Sequence, residues 1–206
     1  GERVPRDREM LKFLVYFAAI GAGYILIEVA LIQRFVLFLG HPTYALTVII
    51  FSMLISSGAG SYFSRRIVGL SHGRLGGMMS LVALAVGLLT VVVGPVTEAG
   101  VGWPGWLKVL LTVLLIAPPA FCMGMPLPTG LALLELRHKP SVKWAWALNS
   151  ASSVLGSVGA IFLAIYAGLH RTLLVGGALY LLAFAAVFLM NRSPEAGGRA
   201  SVVPQA

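Results

Sequence analysis

Glu28 is the residue best placed to do chemistry, because it is a carboxylate inside a long apolar run. A charge at that depth is expensive and is retained where it faces the bundle interior or water. It reads either as a packing acid bonded to a neighbouring helix or as a group that handles a proton or substrate. Gly21 and Tyr24 share its face at helical spacing, so that face is expected toward protein and Ile27 and Leu31 toward lipid. Asn149 and Ser153 form a second candidate, either lining a polar cavity or bonding between helices. Arg34 lies six residues beyond Glu28, roughly 240° round a straight helix, so the two do not pair within it. Gln33, Arg34 and His41 are read as interfacial residues.

Other chemistries lack their residues. His41, His72, His138 and His170 fall at span ends, whereas a haem in a bundle needs histidines on facing helices. No H-x-x-x-H or C-x-x-C pair or phosphate-binding loop occurs, so neither a metal nor a cofactor is expected. The single cysteine, Cys122, reads as a small buried hydrophobe.

The elements that must position these residues are membrane helices. The 206 residues are 58% hydrophobic and 11% charged, with a mean hydropathy of +0.92. A spanning helix needs about 20 mostly apolar residues. Leu11–Leu31, Tyr44–Phe63, Met78–Val96, Val109–Leu134, Trp144–Leu169 and Thr172–Met190 approach or exceed that. The expectation is an all-α integral membrane bundle of six transmembrane helices, since barrel strands would alternate strictly and be shorter. The first helix should run on to Leu39 and stop at Gly40-His41-Pro42. Pro118, Pro119, Pro126 and Pro128 should break the fourth helix, each by removing a backbone donor. Small residues mark close packing: Gly58 and Gly60 on the second helix, and Ser152, Gly156 and Ala160, four apart on one face, on the fifth. The fifth helix is therefore expected at the centre of the bundle. Trp103 and Trp106 beside Lys108 read as an interfacial anchor.

Net charge is +8, and topology explains it better than a nucleic-acid partner does. With alternating ends, every one of the 15 basic residues except Arg34, Lys108 and Arg171 falls on one side. Cytoplasmic loops carry such an excess, which places both termini in the cytoplasm. Residues 1–10 are read as a polar cytoplasmic lead-in, 11–190 as the transmembrane domain and 191–206 as a disordered cytoplasmic tail. The charged opening at Gly1 reads as a cut in a longer protein, although a tag scar or processing would look the same.

Three stretches together resemble a known family: Glu28-Val29-Ala30-Leu31-Ile32-Gln33-Arg34-Phe35 with Leu39-Gly40-His41-Pro42, then Gly124-Met125-Pro126-Leu127-Pro128, then Trp144-Ala145-Trp146-Ala147-Leu148-Asn149 with Ser153-Val154-Leu155-Gly156-Ser157. They resemble the membrane portion of bacterial spermidine synthase-like (polyamine aminopropyltransferase-like) multi-span proteins. The resemblance implies a module in the bacterial cytoplasmic membrane, joined to a methyltransferase-like fold that takes S-adenosylmethionine or its decarboxylated form. This chain lacks the glycine-rich strand–helix turn, and its seven acids are scattered, so aminopropyl transfer is not expected of it alone. The expected role is an anchor or scaffold for other protein subunits or an upstream cytoplasmic domain, in contact with membrane lipids. The alternative is a small transporter or a lipid- or polyamine-handling subunit with a polar intramembrane cavity.

Overall fold

Apolar side chains at every turn, with few acids or bases between them, leave helix as the form that satisfies the backbone without water. The structure, a computed structural model, describes residues 8–192, of which 92% are helical and none is in a strand. The helices are α1 (Arg8–Leu39), α2 (Pro42–Ile67), α3 (His72–Ala99), α4 (Gly105–Met123), α5 (Pro126–His138), α6 (Val142–Tyr166) and α7 (Leu169–Arg192). A 3₁₀ turn, Lys139–Ser141, separates α5 from α6. The expected lead-in and tail fall mostly outside the described residues.

Five helical stretches, not the six expected, are long and apolar enough to cross a membrane. The difference lies between residues 105 and 166, where the expected fourth and fifth spans belong to one 62-residue stretch, Gly105–Tyr166. Several expected boundaries also move. The third span, expected over Met78–Val96, belongs to a longer helix that carries Pro95 within it as far as Ala99. Only four residues connect the second and third helices, because α2 runs to Ile67 and α3 starts at His72. Ser71 caps α3 by accepting from the Arg74 amide. At Gly40 the chain takes φ +83°, which a side chain would resist, and α1 stops there.

The fourth helix is interrupted within the proline run, as expected, but not at every proline. Pro118 and Pro119 lie inside α4 without ending it. The interruption is narrower, at Gly124-Met125, and Pro126 opens α5 at a first-turn position where no helical donor is lost. Glycine explains the location. A Cβ on Gly124 would overlap the Ser57 carbonyl, and one on Gly60 would overlap the Phe121 carbonyl. α2 and the end of α4 therefore meet backbone to backbone, as small residues permit.

The central helix is α1, not α6. α1 packs against α7, α6, α2 and the α4–α5 region, and Tyr16, Phe17, Ile27, Ala30 and Phe35 are fully buried. Ile27 and Leu31, expected to face lipid, are buried too, because Ile27 packs on Gly176 of α7. α6 is peripheral: it buries a single stripe, Ala145, Ser152, Gly156 and Ala160. Gly156 lies against Ala22 and Ile25 of α1. Its other faces expose Val154, Leu155, Val158, Ile161, Phe162 and Ile165.

Neighbour contacts set the directions of the helices. The Lys12 Nζ donates to the Leu189 carbonyl at 3.1 Å, so the start of α1 lies beside the end of α7. Gly76, early in α3, meets Phe184, late in α7. α6 runs parallel to α1, with Asn149 at Gly21 and Gly156 at Ile25. α5 runs the other way: Gly124, just before it, meets Ser57, the partner of Tyr24, whereas Gly130 lies against Tyr16.

Candidate functional site: a cleft at the helix interruption

Where α4 gives way to α5, the helices part around a cleft of about 370 Å³. α1 supplies Ile20, Gly21 and Tyr24, and α2 supplies Leu54, Ser57, Gly58 and Ser61. Met123, Gly124, Leu127 and Pro128 border it at the interruption itself. Asn149 and Ser153 of α6 and Tyr180 of α7 complete it.

Each polar group arrives by a local packing cause. Gly21 lets α6 approach so closely that a Cβ there would lie 2.5 Å from the Asn149 carbonyl. That approach brings the Ser153 hydroxyl to the Gly21 carbonyl, to which it donates at 3.2 Å, while it also bonds the Asn149 carbonyl at 2.8 Å. Ser152 turns under α1 and donates to the Leu148 and Asn149 carbonyls. Tyr24 and Ser57 share a hydrogen bond of 3.3 Å across α1 and α2. Tyr180 passes beneath Gly23, whose missing side chain makes room for its ring.

Two of these groups have no intramolecular partner among the described residues. The Asn149 side-chain amide accepts and donates nothing, and the Tyr180 hydroxyl makes no hydrogen bond although the residue is only 1% exposed. Asn149 is half-buried and Tyr180 almost fully so, and neither group is sealed off from the cleft. Here both border the cleft, which offers a donor–acceptor amide and a hydroxyl to whatever enters.

Glu28 does not line this cleft. It lies one helical turn beyond Tyr24, half-buried and within electrostatic reach of that phenol, and makes no hydrogen bond or ion pair among the described residues. Gln33 and Arg34 face a separate groove at the opposite end of α1 with Thr97 and Glu98. His41 is exposed at the start of α2. Trp103 and Trp106 are exposed, and Lys108 stacks over the Phe38 ring at 5.4 Å from its centroid. Gly60 packs as described, but Gly58 faces open space beside the cleft and brings no helix close. Among the described residues no three His, Cys, Asp or Glu side chains gather as a metal site would require.

The sequence reading named Asn149 and Ser153 and missed Tyr24, Ser57 and Tyr180 as cleft residues. Tyr180 sits in a plainly apolar helix, and only its passage under Gly23 reveals it. No family model, curated protein or solved structure matches this chain.

Proposed function

We propose that the chain is a six-crossing membrane module that holds the polar part of a small ligand in the cleft beside its interrupted fourth crossing. The six crossings are α1, α2, α3, α4 with α5, α6 and α7. A straight 62-residue helix would be roughly 93 Å long, about three times the hydrocarbon thickness. The turn at Lys139–Ser141 and the opposite directions of α5 and α6 favour two crossings there. The basic residues at the ends of α2, α5 and the starts of α3 and α6 support an orientation with both termini in the cytoplasm; a bacterial cytoplasmic membrane rests on the resemblance alone.

The observation that carries the ligand reading is the pairing of the Asn149 amide with the Tyr180 hydroxyl. Both are unbonded within the described residues, and both border one cleft at an interrupted helix. Interrupted membrane helices are tolerated where the freed backbone is buried in protein or lines a cavity. The test is to purify the chain in mild detergent and identify retained small molecules by mass spectrometry. Tyr180→Phe and Asn149→Ala should each lower retention, with helicity unchanged. Parent-level retention in both variants would overturn the reading.

A scaffold role is the second reading. Arg65, Arg66, Arg74 and Lys139 crowd one end of the bundle, which suits an acidic partner domain or subunit. The spermidine synthase-like resemblance would make that partner a domain binding S-adenosylmethionine. No comparison ties the chain to that family, and aminopropyl transfer is not proposed. Cross-linking from residue 66 to a co-purified subunit would favour the scaffold.

A further inference from the structure

The cleft does not end at Ser61 and Pro128. Both residues also border a larger groove, about 760 Å³, between the end of α2 and α5. The groove carries opposite charges on its two walls, Arg65 on α2 and Glu135 on α5. Arg65 makes no ion pair or hydrogen bond through its guanidinium among the described residues. Glu135 has a loose contact with Lys139 at 3.9 Å, with both side chains mostly exposed, and such a surface pair is weak enough to exchange. Thr129, only 4% exposed, also borders the groove, and its hydroxyl makes no hydrogen bond among the described residues.

Arg65, Ser61 and Ser57 are four residues apart on α2 and form a polar ladder on one face. The ladder is roughly 12 Å long and leads from the charged groove to the Tyr24–Ser57 bond in the cleft. Its flanks are apolar and open outward: Leu54, Tyr62, Leu70 and Leu136 are all exposed. A soluble solute has no use for such flanks, whereas an amphiphile does.

Resting on the cleft reading, we infer that groove and cleft together hold one phospholipid with a zwitterionic primary-amine headgroup. Arg65 takes the phosphate, as a guanidinium does through paired donors. Glu135 takes the ammonium. Thr129, Ser61 and Ser57 face the glycerol and ester oxygens, and the acyl chains leave past Leu54 and Tyr62 into the bilayer. A choline headgroup offers Glu135 no N–H, and a glycerol headgroup offers it no cation, so both should be held less well.

The test uses the full chain, exchanged into detergent with dioleoyl phosphatidylethanolamine, phosphatidylcholine or phosphatidylglycerol, with retained lipid counted by native mass spectrometry. The parent should retain the ethanolamine lipid about tenfold over the other two, the difference expected of one charge-assisted contact. Glu135→Gln should erase the preference for ethanolamine over glycerol. Arg65→Gln should lower retention of all three lipids about tenfold. Circular dichroism should show parent helicity in both variants. Equal retention of the three lipids by the parent, or variants that leave the pattern unchanged, would overturn the assignment. So would displacement of the lipid by soluble glycerophosphoethanolamine at equal concentration, which would make this a solute site. If Tyr180→Phe lowers retention of a co-purified molecule while Arg65→Gln and Glu135→Gln do not, the cleft reading stands and the phospholipid falls. If none of the three has an effect, both fall.

Discussion

The Tyr16 hydroxyl donates a 2.6 Å hydrogen bond to the Pro126 carbonyl, tying the buried heart of α1 to the first residue of α5. The bond fixes where the chain resumes after the interruption at Gly124-Met125. It also orients the wall of the cleft that Leu127 and Pro128 supply. Tyr16→Phe keeps the ring and deletes the donor. The carbonyl keeps its helical partner, so losing this bond should lower stability by about 0.5–1.5 kcal/mol, read as a lower melting temperature in detergent. An unchanged melting temperature would show that the bond does not hold α5.

The two backbone contacts between α2 and α4 give a sharper comparison. Gly60→Ala and Gly124→Ala each insert a methyl where a carbonyl stands, so the helices must separate. Overpacking of this kind should be destabilising by about 1–3 kcal/mol. Gly58→Ala and Gly159→Ala meet nothing within 4 Å and serve as controls. Four equal melting temperatures would mean that α2 and α4 do not meet as described.

Legibility in the sequence followed the range of the interaction. The stripe of Ser152, Gly156 and Ala160 could be read because residues four apart on a helix share a face. The end of α1 could be read because Gly40 and Pro42 act on their own backbone. The centrality of α1 could not, because small residues on α6 announce a close contact without saying which helix is inside. The proline run announced the break in the fourth helix but not its exact place, because a proline removes one donor but stops a helix only where neighbours favour another path. That path opens at Gly124, against Ser57, a partner 67 positions away in the chain. Tyr180 was invisible for the same reason: its place in the cleft depends on Gly23.

Glu28 now carries a different expectation from the one its sequence position suggested. It has no hydrogen bond to lose among the described residues. Glu28→Leu should therefore leave the melting temperature at or above the parent value, since an ionised residue at the centre of a span is disfavoured by about 2.5–3.5 kcal/mol on insertion scales. Glu28→Gln should be equally stable. A melting temperature clearly lowered by Leu and restored by Gln would reveal a bonded role for this acid.

The number of crossings can be settled from the turn that separates α5 from α6. With α4 and α5 as one crossing, Lys139–Ser141 lies on the side of the α2–α3 connection, and Trp103 lies on the opposite side. With Gly105–Tyr166 as one continuous element, no such reversal occurs. Single cysteines at positions 70, 103 and 140, placed in a Cys122→Ala background, distinguish these arrangements. In sealed right-side-out vesicles, an impermeant maleimide should label position 103 alone, and positions 70 and 140 should react only after the membrane is opened. The basic residues predict that shared side to be the cytoplasm. Labelling of 70 and 140 from outside, with 103 protected, would keep six crossings but invert the orientation. Labelling of 140 together with 103 would remove the sixth crossing. The cleft would then no longer lie at membrane depth beside an interrupted span.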